Sequence, residues 1–316
     1  MKLRALGTTG LDVAPLVFGG NVFGWTVDEK TSFALLDAFV DAGLNAIDTA
    51  DVYSAWAPGN SGGESETIIG KWLKQQPAKR DKVLILTKVG SALGKPVKDL
   101  SASWIAQSVE GSLRRLGVDR IDLYQSHWYV ASAANEETLG AYDALLKAGT
   151  VRAIGCSNFD APQLAAALKV AKEKGLPRYQ TLQPEYNLFD REGFDGALQE
   201  LVLRENIGVI TYYSLASGFL SGKYRSDADL IKSARGGGIA KYLNPRGMRI
   251  LDALNAVASQ HGAKPAEVAL AWLMAQKAVT APIASATTLE QMVSLVRAVH
   301  LDLTAQDLAL LDTASV

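Results

Sequence analysis

Eight short apolar runs recur along this chain of 316 residues, each the length of a buried strand, with helical patterns between them. Seven share one grammar: a helix-ending glycine or polar turn, the apolar run, then a polar side chain where the run stops. They are "AGLNAIDTA" (42 to 50), "DKVLILTKVG" (81 to 90), "DRIDLYQSHW" (119 to 128), "GTVRAIGCSN" (149 to 158), "PRYQTLQPEYN" (177 to 187), "NIGVITYYSL" (206 to 215) and "AVTAPIASAT" (278 to 287). "APLVFGGN" (14 to 21) is a less complete eighth. Phe33, Leu36 and Val40 fall on one helical face; so do Ile105, Val109, Leu113 and Leu116, and again Leu164, Leu168 and Ala171. Ser101 or Ser103 offers an N-cap to the second of these helices, and Gly43 and Gly175 sit where helix ends favour a left-handed residue. Strict alternation of strand and helix requires a parallel sheet with right-handed crossovers, either open or closed. Eight strands favour closure, which predicts an α/β chain folded as a (β/α)8 TIM barrel.

An open dinucleotide-binding sheet would carry G-x-G-x-x-G at its first strand-to-helix turn. "VFGGNVFG" lacks that spacing, and "RGGGIA" near 236 follows no strand. "GSALGK" (90 to 95) is one residue short of a phosphate loop, and Pro96 stands where a Ser or Thr would hold magnesium, so both phosphate motifs are rejected. The opening "KLRALGTTGLDVAPL" reads as a β-hairpin around "GTTG" that closes the bottom of the barrel. No linker divides the chain, so residues 1–316 are expected to form a single domain with one long irregular stretch, a flexible rim loop over about 215–247.

Charge narrows the partners. Thirty-two basic and thirty-three acidic residues leave a formal net charge of −1, so no whole-molecule field attracts nucleic acid or a membrane surface. The lone cysteine, Cys156, cannot form an internal disulfide, and with no His/Cys cluster no metal site is expected. "MKLRALGTTGLDVAP" has no secretory h-region, and no stretch reaches the roughly 18 apolar residues of a spanning helix. The expectation is a soluble, cytoplasmic protein; its oligomeric state is not legible.

In such a barrel the C-terminal strand ends converge on one rim. That places Asp48, Lys88, His127, Ser157, Gln183 and Tyr213 together despite their separation along the chain. Strand-end acids and lysines are commonly just solvated, and a single His near a core is often a hydrogen-bonded structural residue. His261 and His300 are expected at the surface or at helix ends, with no role assigned. Together with Tyr53, however, these groups suit acid–base chemistry. A phenol normally titrates near pH 10, and at about 4 Å and an effective dielectric near 20 an ammonium attracts a phenolate by on the order of 4 kcal/mol. Lys88 is therefore expected to pull the Tyr53 pKa down, Asp48 to hold Lys88, and His127 to hydrogen-bond a substrate oxygen beside the phenol.

In order along the chain, "AIDTADVY", "LTKVG", "DLYQSHW", "GCSNF", "LQPEYN" and "YYSLASGFLSGKY" resemble the aldo-keto reductase superfamily, and the likeness covers essentially all of the sequence. The resemblance implies a (β/α)8 barrel that reduces aldehydes and ketones with NADPH, or in some members NADH. It assigns Tyr53 as general acid, Lys88 as its tuner, Asp48 as the partner of Lys88, and His127 as the group that orients or polarises the carbonyl. It puts Ser157, Asn158 and Gln183 around the nicotinamide carboxamide, with Tyr213 stacked on the ring. It further assigns to the nucleotide Gly20 and Asn21, then Ser214, Leu215, Ser217, Gly218, Leu220 and Lys223, and lastly Ser285, Thr287 and Gln291. Turn formation alone also accounts for Ser214, Ser217 and Gly218.

One segment departs from the family pattern. Where members carry a basic residue and then Glu-Asn for the adenosine 2′-phosphate and adenine, this chain has "PIASATTLEQMVSLV", with no Arg or Lys from Ala278 to Val296. An uncharged pocket lacks the charge-assisted bonds that favour a phosphate, so NADH is a second expectation beside NADPH. Trp25, Trp56 and Trp128 are expected on rim loops, where they either line an apolar substrate pocket or cover the barrel edge. "AWAPGNSGGESE" (55 to 66) is expected to lengthen the turn after Tyr53 and overhang the site. Two rivals stand beside a reductase of small carbonyl compounds: a Schiff-base aldolase through Lys88, and a non-catalytic, nucleotide-binding, redox-sensing regulatory subunit. The Tyr-x-x-x-Lys spacing of short-chain dehydrogenases is absent for Tyr53 and Lys88.

Overall fold

A computed structural model describes residues 1–94, 96–232 and 236–316. Lys95 of "GSALGK" and residues 233–235 of the expected rim loop lie outside the described residues. The chain opens with an antiparallel pair, β1 (Arg4–Ala5) and β2 (Asp12–Val13). Eight parallel strands follow, with helices between them: β3 (Val17–Gly19), α1 (Glu29–Asp41), β4 (Ala46–Asp48), α2 (Glu64–Gln75), β5 (Leu84–Val89), α3 (Ala102–Leu116), β6 (Ile121–Ser126), α4 (Asn135–Lys147), β7 (Val151–Ser157), α5 (Ala161–Lys174), β8 (Thr181–Gln183), α6 (Ala197–Arg204), β9 (Gly208–Thr211), α7 (Pro245–His261), α8 (Pro265–Ala275) and β10 (Ala281–Ala284), with α9 (Leu289–Val299) and α10 (Ala305–Ser315) ending the chain. Each strand pairs with its successor, and β10 pairs with both β9 and β3, so the sheet is a closed (β/α)8 barrel. Each of the eight sequence runs supplies one of its strands.

Local chemistry sets the helix ends. Asp28 caps α1 by accepting from the Thr31 N–H, and Asp160 with Gln163 forms a reciprocal capping box on α5. Of the two serines offered for α3 it is Ser101 that caps, accepting from Trp104 N. The helix then stops at Gly117 in the left-handed region, as α5 does at Gly175. On α1 the buried stripe is Leu35, Leu36, Phe39 and Val40, with Phe33 only half-buried at its edge.

Two apolar cores result. The larger fills the layer between barrel and helices; the smaller lies inside the barrel, built from Val17, Ala46, Leu86, Leu123, Ala153, Ile210 and Ala281. Leu6, Leu11 and Val13 of the N-terminal hairpin belong to the inner core. The hairpin reaches it because Gly7 (φ +56°) lies against the backbone of Gln180 and Gly208, at the N-terminal ends of β8 and β9, where a side chain has no room. Among the described residues no helix is long and apolar enough to cross a membrane, and no group of three or more His, Cys, Asp or Glu is placed to hold a metal ion.

Two expected loop boundaries move. The stretch from 215 is a string of 3-10 turns, Ala216–Ser221, Asp227–Lys232, Gly236–Gly238 and Ala240–Tyr242, that buries Phe219, Leu220, Tyr224, Ile239 and Tyr242. It ends at Asn244 rather than 247, because Asn244 caps Gly247 N and Pro245 suits a first helical turn. The stretch 55–66 likewise stops short, since Glu64, Ser65 and Glu66 already form the first turn of α2, with Ser65 and Glu66 buried.

Candidate active site

The inner core changes character toward the C-terminal end of the barrel. Above Leu86 and Ala46 the inward positions become Lys88 and Asp48, and polar side chains fill the layers up to the rim. Lys88 Nζ donates to Asp48 Oδ2 at 2.7 Å, to the Thr49 carbonyl at 2.8 Å and to Tyr53 Oη at 3.1 Å. An ammonium has three hydrogens and no lone pair, so these three acceptors satisfy it completely. Tyr53 Oη must therefore accept from Lys88, which leaves its own hydrogen to be given to another acceptor.

Burial dominates the electrostatics. It pushes the Tyr53 phenol above its ordinary range, and Lys88 only partly offsets this. Lys88 does act in the expected direction, through its charge and its hydrogen bond, but desolvation of the phenolate outweighs it and Tyr53 keeps its proton at neutral pH. Burial also opposes the Lys88 charge, but Asp48 and Tyr53 more than restore it and hold Lys88 above the usual lysine range. Asp48 is raised by burial despite Lys88 and a hydrogen bond from Gln183 Nε2 at 2.9 Å. His127, whose ring lies 5.9 Å from that of Tyr53, is pushed well below the usual histidine range by burial and by the nearby charges of Lys88 and Lys98. It is a neutral imidazole.

From Asp48 a chain of hydrogen bonds runs around the rim. Ser157 Oγ donates to the Gln183 carbonyl at 2.7 Å, and Asn158 Nδ2 donates to the His127 carbonyl at 2.8 Å and to Ser157 Oγ at 3.1 Å. Tyr212 Oη donates to Asn158 Oδ1 at 2.7 Å. With its amide nitrogen on Asp48, Gln183 keeps a carbonyl oxygen as acceptor. Tyr213, in a left-handed conformation (φ 51°), leaves its ring 48% exposed, an apolar plate beside these amides.

The remaining sites divide. Ser285 Oγ donates to the Gly19 carbonyl and lies 2.7 Å from Asn21 Oδ1, tying β10 to the turn after β3, while Gly20 is buried under Ser65. Thr287 N and Oγ1 both donate to Gln291 Oε1, at 2.8 and 3.1 Å. Leu215 is half-buried; Ser217 and Gly218 follow it in left-handed conformations, and Lys223 is exposed. Two side chains turn away from the rim: Leu220 packs fully into the outer core, and the buried Ser214 hydroxyl donates to the Thr211 carbonyl. Only their backbones remain for a ligand. The three tryptophans gather at the mouth. Trp25 meets Trp56 edge-on at 5.8 Å, Trp56 meets Tyr53 at 5.6 Å, and Trp128 stacks on His127 at 5.6 Å.

Sequence reasoning passed over Ser91, Tyr212 and Asp51. Tyr212 adjoins Tyr213 and Ser91 follows "TKVG", which are weak signals; Asp51 gave none beyond its charge. His261, given no role, ties α7 to α10 through Nε2 to Asp307 Oδ2 at 2.9 Å.

The family model for the aldo/keto reductase family matches residues 15–316. The chain is 34% identical to the uncharacterized oxidoreductase YrpG of Bacillus subtilis, over 99% of this chain and 95% of that protein. It is 31% identical to protein tas of Escherichia coli, over 98% and 96%. It is also 32% identical to a probable voltage-gated potassium channel subunit beta of rice, Oryza sativa, over 94% and 91%.

Proposed function

Since the chain belongs to the aldo/keto reductase family, an oxidoreductase family acting on carbonyl compounds, we propose that it reduces aldehydes or ketones to alcohols with NADPH or NADH, and that Tyr53 supplies the proton. The observation that carries this reading is the three-donor satisfaction of Lys88, which leaves the Tyr53 hydrogen for a substrate oxygen. When bound, the dihydronicotinamide would supply a hydride, a proton with two electrons, to the carbonyl carbon. The Tyr53 proton goes to the oxygen, so that C=O becomes CH–OH, and Lys88 stabilises the phenolate left behind. His127, neutral, donates a hydrogen bond to the same oxygen. Ser157, Asn158 and Gln183 hold the carboxamide, Tyr213 backs the ring, and the pyrophosphate lies along Ser214 to Lys223. Trp25, Trp56 and Trp128 enclose the substrate. A cytoplasmic setting suits the single buried thiol, Cys156, which burial renders unreactive.

Cofactor choice turns on the segment around Thr287. Its charged side chain there is Glu290, an exposed carboxylate paired with Lys264 Nζ at 2.9 Å, and the segment brings no Arg or Lys of its own to a 2′-phosphate. NADH thus stands as a second expectation beside NADPH, and paired binding titrations with NADH and NADPH decide between them. The central experiment is consumption of either nucleotide with a reactive aldehyde. Tyr53→Phe is expected to lower kcat by at least about a hundredfold, the scale of general-acid catalysis, with nucleotide affinity unchanged. Undiminished turnover in that variant would remove Tyr53 from the chemistry. Tight nucleotide binding with no turnover of any carbonyl would favour the regulatory reading that the rice relative suggests.

A further inference from the structure

Ser91 follows β5, one residue beyond Gly90, and is 6% exposed. Its hydroxyl oxygen sits between two rim rings: 2.9 Å from His127 Nδ1 and 3.1 Å from Trp128 Nε1. The indole N–H can only donate, so Trp128 fills one lone pair of Ser91 Oγ. The Ser91 hydrogen then needs an acceptor, and among the described residues the one within reach is His127 Nδ1. The stacking of Trp128 on His127, at an interplanar angle of 15°, keeps both rings in place for this arrangement. Lys98, with Nζ 3.5 Å from the centre of the Trp128 ring, packs over the same indole.

We propose that Ser91 is a positioning residue which, by donating to Nδ1, locks His127 in the tautomer that carries its hydrogen on Nε2, a role that rests on the reading of this rim as a carbonyl-reducing site. The opposite tautomer would point a lone pair at the substrate oxygen and leave the Ser91 hydrogen buried without an acceptor. Neutrality of the imidazole matters here, because a doubly protonated ring has no tautomer to select. Burial and the charges of Lys88 and Lys98 keep it neutral. The Trp128–Ser91–His127 relay thus turns a generic rim histidine into a directed hydrogen-bond donor.

The chain has three histidines, so nitrogen-15 labelling of histidine followed by long-range correlation NMR reads the tautomer of each. His127→Gln identifies the His127 signals by their loss. In the wild type His127 is expected as the Nε2–H form alone. In Ser91→Ala it is expected to become a mixture, and Ser91→Thr, which keeps the hydroxyl, restores the single form. Ser91→Ala should also lower kcat about tenfold, the weight of one hydrogen bond, while nucleotide affinity stays constant. A wild-type spectrum with the hydrogen on Nδ1 would overturn the proposal, even if no Ser91 variant folds. So would a Ser91→Ala spectrum identical to wild type. Failure of the reductase reading is separately visible as the absence of carbonyl turnover in the wild type, which leaves the tautomer measurement unaffected.

Discussion

Asp51 stands three residues beyond Asp48, and its surroundings give the two carboxylates different fates. Asp48 faces into the barrel and has Lys88 at 2.7 Å. Asp51 is fully buried, and its pKa is pushed up to about 8 by burial and then by the charge of Glu66, which Arg115 only partly offsets. In the unfolded chain Asp51 titrates near the ordinary value of 3.8. Between about pH 4 and 8 the folded protein therefore holds a proton that the unfolded chain has released, and stability from this group falls as pH rises through that window. Asp51→Asn should match wild type near pH 4 and exceed it by on the order of a few kcal/mol near pH 8, read from urea midpoints at several pH values. An equal offset at all pH values would mean that Asp51 is ionised throughout. The rim acid could be read from the sequence because Asp48 ends an apolar run and needs a cation that another run, "LTKVG", supplies. Asp51 could not, because the groups that surround it come from α2 and α3, and no local pattern announces them.

Helices α2 and α3 show why element positions are harder to read than element types. Glu66 on α2 has no solvent exposure; Thr87 Oγ1 donates to its Oε1 at 2.6 Å and Arg115 Nε of α3 to its Oε2 at 2.7 Å. The two helices close on this pair because Gly70 on α2 lies against the Arg115 carbonyl, where an added Cβ would be 2.1 Å away. In the sequence Glu66 ends "SGGESE", a polar glycine-rich stretch that reads as loop. Its burial depends on an arginine 49 residues further on. Strands were legible because period and polar termination are local, as in "DRIDLYQSHW"; a buried ion pair between helices is not. Arg115→Ala leaves the Glu66 carboxylate buried with only a hydroxyl partner and is expected to cost about 3–5 kcal/mol in urea unfolding. Replacing both residues with methionine should recover most of that loss, since the pair's desolvation cost disappears with it. A double variant no more stable than Arg115→Ala would show that packing of the arginine stem, not the unpaired charge, sets the penalty.

Across the whole molecule, the barrel interior divides into an apolar lower half plugged by the hairpin and a polar upper half that ends at Tyr53 and His127. Closure itself could be inferred by counting strands, and the plug by recognising "GTTG" as a turn between "KLRAL" and "LDVAPL". What the count could not give is the fit of the hairpin against the strands it covers, where Gly7 and Gly208 bring two backbones into contact. Leu6 is buried at the centre of this plug, beside Leu11 and Val13. Leu6→Ala should lower unfolding stability by about 2–5 kcal/mol, the cost of removing a large side chain from a packed core. The polar rim is held by its own hydrogen bonds, from Lys88 through Asp48 to Gln183 and Ser157, none of which involves the hairpin. Below the melting temperature, kcat and KM of Leu6→Ala should therefore stay within about two-fold of wild type, as expected for sites with no shared partners. A variant that loses activity in proportion to stability while still fully folded by circular dichroism would mean that the lower core sets the spacing of the rim residues, and that the two halves of the barrel are mechanically coupled.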